Sequence, residues 1–236
     1  WCRWHTCSLC EQRYHGVVPC ALGWACWKTY LCRPEADDFR RCAMTYLGHG
    51  LSEADQNEDA LTVMEAELSL LRRHGDSEDR ILATQSNLAC TYVELGRLDE
   101  ANLIKRDVYF GRLKLFGEEH AHTLSAATNY ASSLTSLGRF EEAKALSRKM
   151  TLVARRVLRE NHDLTLKLRW NYGVALYRDT GATLDDLREA VTTLEDTDRT
   201  SRRVLGGAHP LAVAIGTSLQ NARAALAARE APPTSK

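Results

Sequence analysis

The 236-residue chain has no surplus of charge: 31 lysines and arginines stand against 31 aspartates and glutamates. That removes the strong field that draws a protein onto nucleic acid or an anionic membrane, leaving room only for a local basic patch. Long apolar runs are missing too. The longest, Val17 to Trp27, is interrupted by Pro19 and Gly23 and is shorter than the roughly 20 residues a spanning helix needs. The start shows no charged region followed by an apolar one, so no secretory leader is expected, and it opens on Trp1 rather than Met, which reads as a natural N-terminus lying further upstream. No asparagine begins an Asn-x-Ser/Thr sequon, which fits a cytoplasmic chain. Enzyme signatures are absent as well: no Gly-x-Ser-x-Gly elbow, phosphate loop, dinucleotide fingerprint or His-Glu-x-x-His occurs. Cys90 has no context that would make it a nucleophile. No enzymatic activity is expected.

Cysteine is nearly absent beyond the first sixth of the chain. Seven of the eight cysteines lie in residues 1–42, with Trp1, Trp4, Trp24 and Trp27 among them. Composition therefore changes near RPEADD at 33–38. The expected organisation is a Cys/Trp-rich segment over 1–38 leading into a first helix, a repeat array over 39–229, and a disordered tail over 230–236.

What is present is self-similarity. NLACTYVELGRLDEA starts at Asn87, NYASSLTSLGRFEEA at Asn129 and NYGVALYRDTGATLDDLREA at Asn171, two steps of 42. Gly96 and Gly138, Ala101 and Ala143, and His120 and His162 keep that step, whereas His209 follows His162 by 47. The extra length falls as one residue before Gly181 and about four in ATLDDLRE. A fainter copy starts near Ala43, and SLQNARAAL from Ser218 reads as a closing first helix. Each unit predicts two amphipathic helices. Leu124, Ala127, Ala131, Leu134 and Leu137 step by three and four, as do Ala143, Leu146, Met150, Val153 and Val157. Gly138 ends the first of them, and paired arginines at 72–73, 155–156 and 202–203 fall near the ends of second helices, where the dipole favours cations. A single hairpin buries little, so stacked neighbours must supply the core.

The small residue at Ala89, Ala131 and Gly173, the Tyr92 position, the turn glycine, and Ala101 and Ala143 resemble the tetratricopeptide repeat. The 42-residue period and the loops FGEEHAHTL, LRENHDLTL and LGGAHPLAV resemble the repeats of kinesin light chain, over roughly residues 40 to 228. No heptad segment for a motor heavy chain accompanies them, so a motor subunit is not implied. The resemblance implies an all-α helical-hairpin solenoid, with first helices lining a concave groove that binds a peptide or protein. It makes Asn87, Asn129 and Asn171 candidates for holding a peptide backbone, a task that suits an amide with donors and an acceptor. Ser86, Thr128 and Ser132 are expected beside them. Lys167, Trp170, Tyr177 and Arg178 would suit an acidic or aromatic-containing peptide. The plainer alternative is that the asparagines bond only to neighbouring helices and that Trp170 packs between repeats. The recurrent histidines point to a turn or capping role, since stacked repeats keep them too far apart to converge.

One motif stands outside the repeats. Cys7, Cys10, His15 and Cys20 follow Cys-x2-Cys-x4-His-x4-Cys, a spacing that a structural zinc ion accepts. Against it, Tyr14 stands where a knuckle usually has glycine, and HGVVPCALGWACWKTYL reads as the approach to a helix with Val18, Leu22, Cys26 and Thr29 on one face. CSLC also resembles the closing pair of a RING-like module. Only Arg3 and Arg13 accompany the aromatics, so no nucleic-acid partner is expected. The leading expectation is a scaffold binding peptides or proteins; the alternatives are the substrate-recruiting arm of a larger zinc-module protein, such as a RING-type ubiquitin ligase, and a self-associating array.

Overall fold

A computed structural model describes residues 17–230. Among them lie ten α-helices and no strand: α1 (Val17–Tyr30), α2 (Asp38–Glu53), α3 (Asn57–Arg73), α4 (Glu78–Glu94), α5 (Leu98–Phe116), α6 (Ala121–Ser136), α7 (Phe140–Leu158), α8 (Asp163–Arg178), α9 (Leu184–Leu205) and α10 (Pro210–Glu230). Helices α2 to α9 are the paired helices of the repeats, and α10 is the closing first helix. Contacts divide the chain into two units, Trp1–Gly111 and Arg112–Lys236.

In the first unit, Leu47, Leu51 and Ala60 form a core against which Cys20, Trp27 and Val63 pack. Asp37 caps α2 by accepting from the Phe39 and Arg40 backbone N–H groups. A second core joins Leu61, Met64, Leu68, Leu88, Tyr92 and Ala101. Cys26 is fully buried, as expected of a core thiol. The expected face of α1 is otherwise corrected: Val18 and Thr29 are exposed, and Gly23, Cys26 and Trp27 turn inward instead. The reason is close helix approach. A Cβ on Gly50 of α2 would lie 2.4 Å from the Pro19 carbonyl oxygen, and one on Gly23 would lie 3.0 Å from the Leu47 Cα. Backbones this near leave no room for a branched side chain between them, so the seam runs along the glycines.

In the second unit, Leu166, Leu211 and Ile215 form one core and Leu176, Ala190, Leu194, Leu219 and Ala222 another. The stripe Leu124, Ala127, Ala131 and Leu134 is buried as expected. Val157 is 40% exposed, and Ala154 takes the buried place at the end of α7. Gly138, with φ +72°, turns the chain from α6 into α7. The longer fourth repeat turns differently: Asp179 accepts from the Gly181 N–H at 2.9 Å, and Thr183 and Asp186 form a reciprocal capping box.

The histidines are helix caps. Nδ1 of His120, His162 and His209 accepts the backbone N–H two residues on, from His122, Leu164 and Leu211, at 3.1, 3.2 and 3.1 Å. Each imidazole thus satisfies one of the orphan donors at a first-helix start.

Candidate functional site

The expected asparagines share a register but not an environment. In the first unit, the Asn87 amide nitrogen lies 3.2 Å from His49 Nε2 on α2. Desolvation by its neighbours lowers the pKa of the His49 imidazole despite the pull of Glu53, and Nε2 accepts from the amide in the tautomer that leaves it unprotonated. Ser86 is half-buried beside it and Cys90 is exposed.

In the second unit, Asn171 is buried and donates to the Thr128 carbonyl at 2.9 Å, tying α8 to α6. Thr128 turns its own hydroxyl back to the Leu124 carbonyl. Asn129 differs: its amide is half-buried and takes no side-chain partner among the described residues, with Ser132 exposed one turn on. On α8, Lys167 donates to Asp163 at 3.0 Å. Burial works to raise the Asp163 pKa, but the hydrogen bond and charge of Lys167 prevail and hold the carboxyl below its usual range. Trp170 donates from Nε1 to Ser218 on α10 at 2.8 Å and packs into both cores of this unit. Tyr177 packs against the Leu176–Leu194–Leu219 core, and Arg178 is exposed.

First helices stand side by side here, α6 on α8 and α8 on α10, whereas α7 and α9 do not pack on one another in the same way. Asn129 and Ser132 on α6 and Lys167 and Arg178 on α8 are all at least partly exposed on these adjoining helices. Of the four residues at zinc-ligand spacing, Cys7, Cys10 and His15 lie outside the described residues. Cys20 lies in α1, its thiol directed 3.8 Å from Gln56 Oε1.

The splay of α7 from α9 opens a second feature that sequence reasoning missed. A cleft of about 260 Å³ lies over α8, lined by Arg148, Thr151, Arg155, Arg169, Tyr172 and Asp196, with Leu152 and the Thr192–Thr193 pair completing it. At its edge Arg148 Nη2 donates to the Tyr172 hydroxyl at 2.7 Å, which donates to Glu189 at 2.7 Å. Burial and the Glu189 carboxylate push Tyr172 up to about 12, so the phenol stays protonated. The available signal was Arg169, which sits with Leu166, Gly173 and Leu176 on the apolar face of α8.

A family model described as tetratricopeptide repeat matches residues 81–122 and 123–163. These are tetratricopeptide repeats. The tetratricopeptide fold extends beyond them, to structures with kinesin light chain-like repeats. A putative kinesin light chain from Podosopora anserina, with nearly identical tetratricopeptide-like repeats, aligns at TM-score 0.67 and 23% identity over 81% of this chain and 88% of its own. BtubC (BKLC) from P. vanneervenii aligns at 0.62 and 16% identity, over 92% and 94%. A Rap protein complexed with Competence and Sporulation Factor aligns at 0.55 and 16%, over 90% of this chain and 59% of its own. No curated protein sequence matches the chain. A tetratricopeptide array is a protein-interaction scaffold, and among the described residues no helix is long and apolar enough to cross a membrane.

Proposed function

We propose that the chain is a non-enzymatic tetratricopeptide scaffold that binds an extended segment of a partner protein along the first helices of its second unit. The observation that carries this reading is Asn129: a half-buried amide without a side-chain partner, set on a helix wall whose equivalent asparagines are engaged. It can give and take a hydrogen bond with a passing backbone. Arg178 adds positive charge on α8, where Lys167 is paired with Asp163, which suits an acidic segment, and half-buried Tyr177 suits an aromatic one. The Rap protein's complex with its factor supports ligand capture by such an array. Trp170 is better read as packing, because Ser218 already takes its only donor.

The test is calorimetric titration of acidic-aromatic peptides into wild type and Asn129→Ala. One lost amide–backbone interaction of about 1 kcal/mol corresponds to an affinity drop of roughly fivefold. Equal affinities for the two proteins would remove Asn129 from the site.

A further inference from the structure

We propose that the cleft between α7 and α9 is a binding site for a phosphate group, as a free dianion or a monoester. Arg148, Thr151 and Arg155 are spaced by three and four along α7, so one face of that helix presents all three to the cleft. Arg169 enters from α8 below. Among the lining residues these three arginines meet one carboxylate, Asp196, whose Oδ1 also accepts from Arg199 at 3.2 Å, and Arg148 is in addition paired with Glu189 at 3.2 Å.

Two observations mark the cleft as a site rather than a solvated charge cluster. The first is a shared counter-ion. Glu160 serves both Arg155, at 2.8 Å from Nε, and Arg169, at 3.5 Å from Nη1, while the Arg169 side chain is only 11% exposed. Each guanidinium carries five N–H donors, so one carboxylate leaves most of them for another acceptor. Burial, followed by repulsion from Arg155, weakens the hold of Arg169 on its proton, as expected where positive charge is undercompensated.

The second is Thr151. It is 8% exposed, and its Oγ1 is buried without a hydrogen-bond partner. The other buried threonines of this unit give Oγ1 to a carbonyl, four residues earlier for Thr128, Thr135 and Thr197, and at Arg112 and Arg159 for Thr123 and Thr165. Thr151 lines the cleft between Arg148 and Arg155 with its hydroxyl given to no carbonyl. A tetrahedral oxyanion with several acceptor oxygens meets planar guanidinium forks and a hydroxyl together. With Glu160 and Glu189 counted beside Asp196, and Arg199 beside the three lining arginines, one positive charge remains over, which favours an anion with several acceptor oxygens.

The proposal is independent of the peptide site on the first helices. Thermal unfolding at matched ionic strength tests it, with chloride, acetate, inorganic phosphate and capped phosphoserine compared across a concentration series. Phosphate is expected to raise the midpoint with a saturable dependence that acetate lacks. Thr151→Val keeps the shape of the buried side chain and should weaken the apparent affinity about tenfold; Arg155→Gln, at an exposed position, should do the same. A response to phosphoserine assigns the site to a phosphate carried by a partner, and a response confined to inorganic phosphate assigns it to the free ion. Either sustains the site. It is overturned if phosphate acts like chloride or acetate, or if both variants respond as wild type does.

Discussion

Glu67 shows what a single side chain can cost. It is 5% exposed in the first unit, with no cation bonded to it among the described residues; Thr45 and Thr84 donate to its Oε1 at 2.5 and 3.4 Å. Burial pushes its pKa up, against those hydrogen bonds and the charge of Arg80. A carboxyl raised in the folded state contributes stability that is full below the unfolded value and is lost as pH rises through the folded one. At neutral pH the buried charge is therefore a burden. Glu67→Gln keeps an acceptor for both hydroxyls and should stabilise the protein by on the order of 1 kcal/mol at pH 7. Denaturant titrations at pH 7 and pH 4 check the sign: the gain should shrink at the lower pH, and a gain that stays constant would contradict the burial argument. Tyr172 gives the matching alkaline case. Its phenol is raised from 10 to about 12, so its contribution is whole below pH 10 and fades as pH climbs through the folded value. Tyr172→Phe should flatten the fall in stability over that window, read from denaturation midpoints between pH 9 and 12.

At the scale of elements, the turn between α7 and α8 is the strained one. Gly117 and Gly206 take positive φ at the loops that precede first helices, and Arg159 takes φ +72° with ψ 170° at the equivalent place. That conformation belongs almost wholly to glycine, and the Arg159 side chain is exposed. Arg159→Gly should raise stability by about 1 kcal/mol, since relieved strain of roughly 1–3 kcal/mol exceeds the added freedom of the unfolded chain. A lower melting temperature for the variant would show that the arginine is not strained. These loops were legible in part. The 42-residue step and the caps at His120 and His162 could be read, because helix starts and stops depend on nearby residues. The α1 seam could not, because Gly23 and Gly50 matter only once two backbones are known to cross there.

For the whole array, the repeat pattern carried the architecture and left the site half-read. Apolar spacing reports which face is buried, and so hairpins, core and the closing helix were all accessible from sequence. It does not report which equivalent polar residue finds a partner. Asn87, Asn129 and Asn171 are alike in sequence, yet His49 and the Thr128 carbonyl claim two of them and leave the third. The α7–α9 cleft was invisible for a related reason: it arises from splay between helices 40 residues apart, and only Arg169 on an apolar stripe hinted at it. Because each hairpin relies on its neighbour, the closing helix has outsized weight. Leu211, Ile215 and Leu219 on α10 complete both cores of the second unit. Truncation before Pro210 should cost on the order of 5 kcal/mol, at roughly 1.5–3 kcal/mol for each large side chain lost. Calorimetry of the shortened chain would test this, and an unchanged transition would show that α10 is dispensable.

The arginines near the ends of second helices carry a last consequence. Arg73 reaches back to Glu35, Arg156 to Glu119 and Arg203 to Asn161. The fourth repeat is five residues longer than the third, yet its clasp lands at the same relative place. Three of those residues lengthen the second helix, from 19 to 22, and two fall in the turn before it; both additions precede Ala190, so Ala190 to Arg203 repeats the 13-residue spacing of Ala143 to Arg156 and the arginine keeps its side. Length can thus be gained ahead of the buried face, while a two-residue insertion between Ala190 and Arg203 would swing the clasp roughly 200° away from its target.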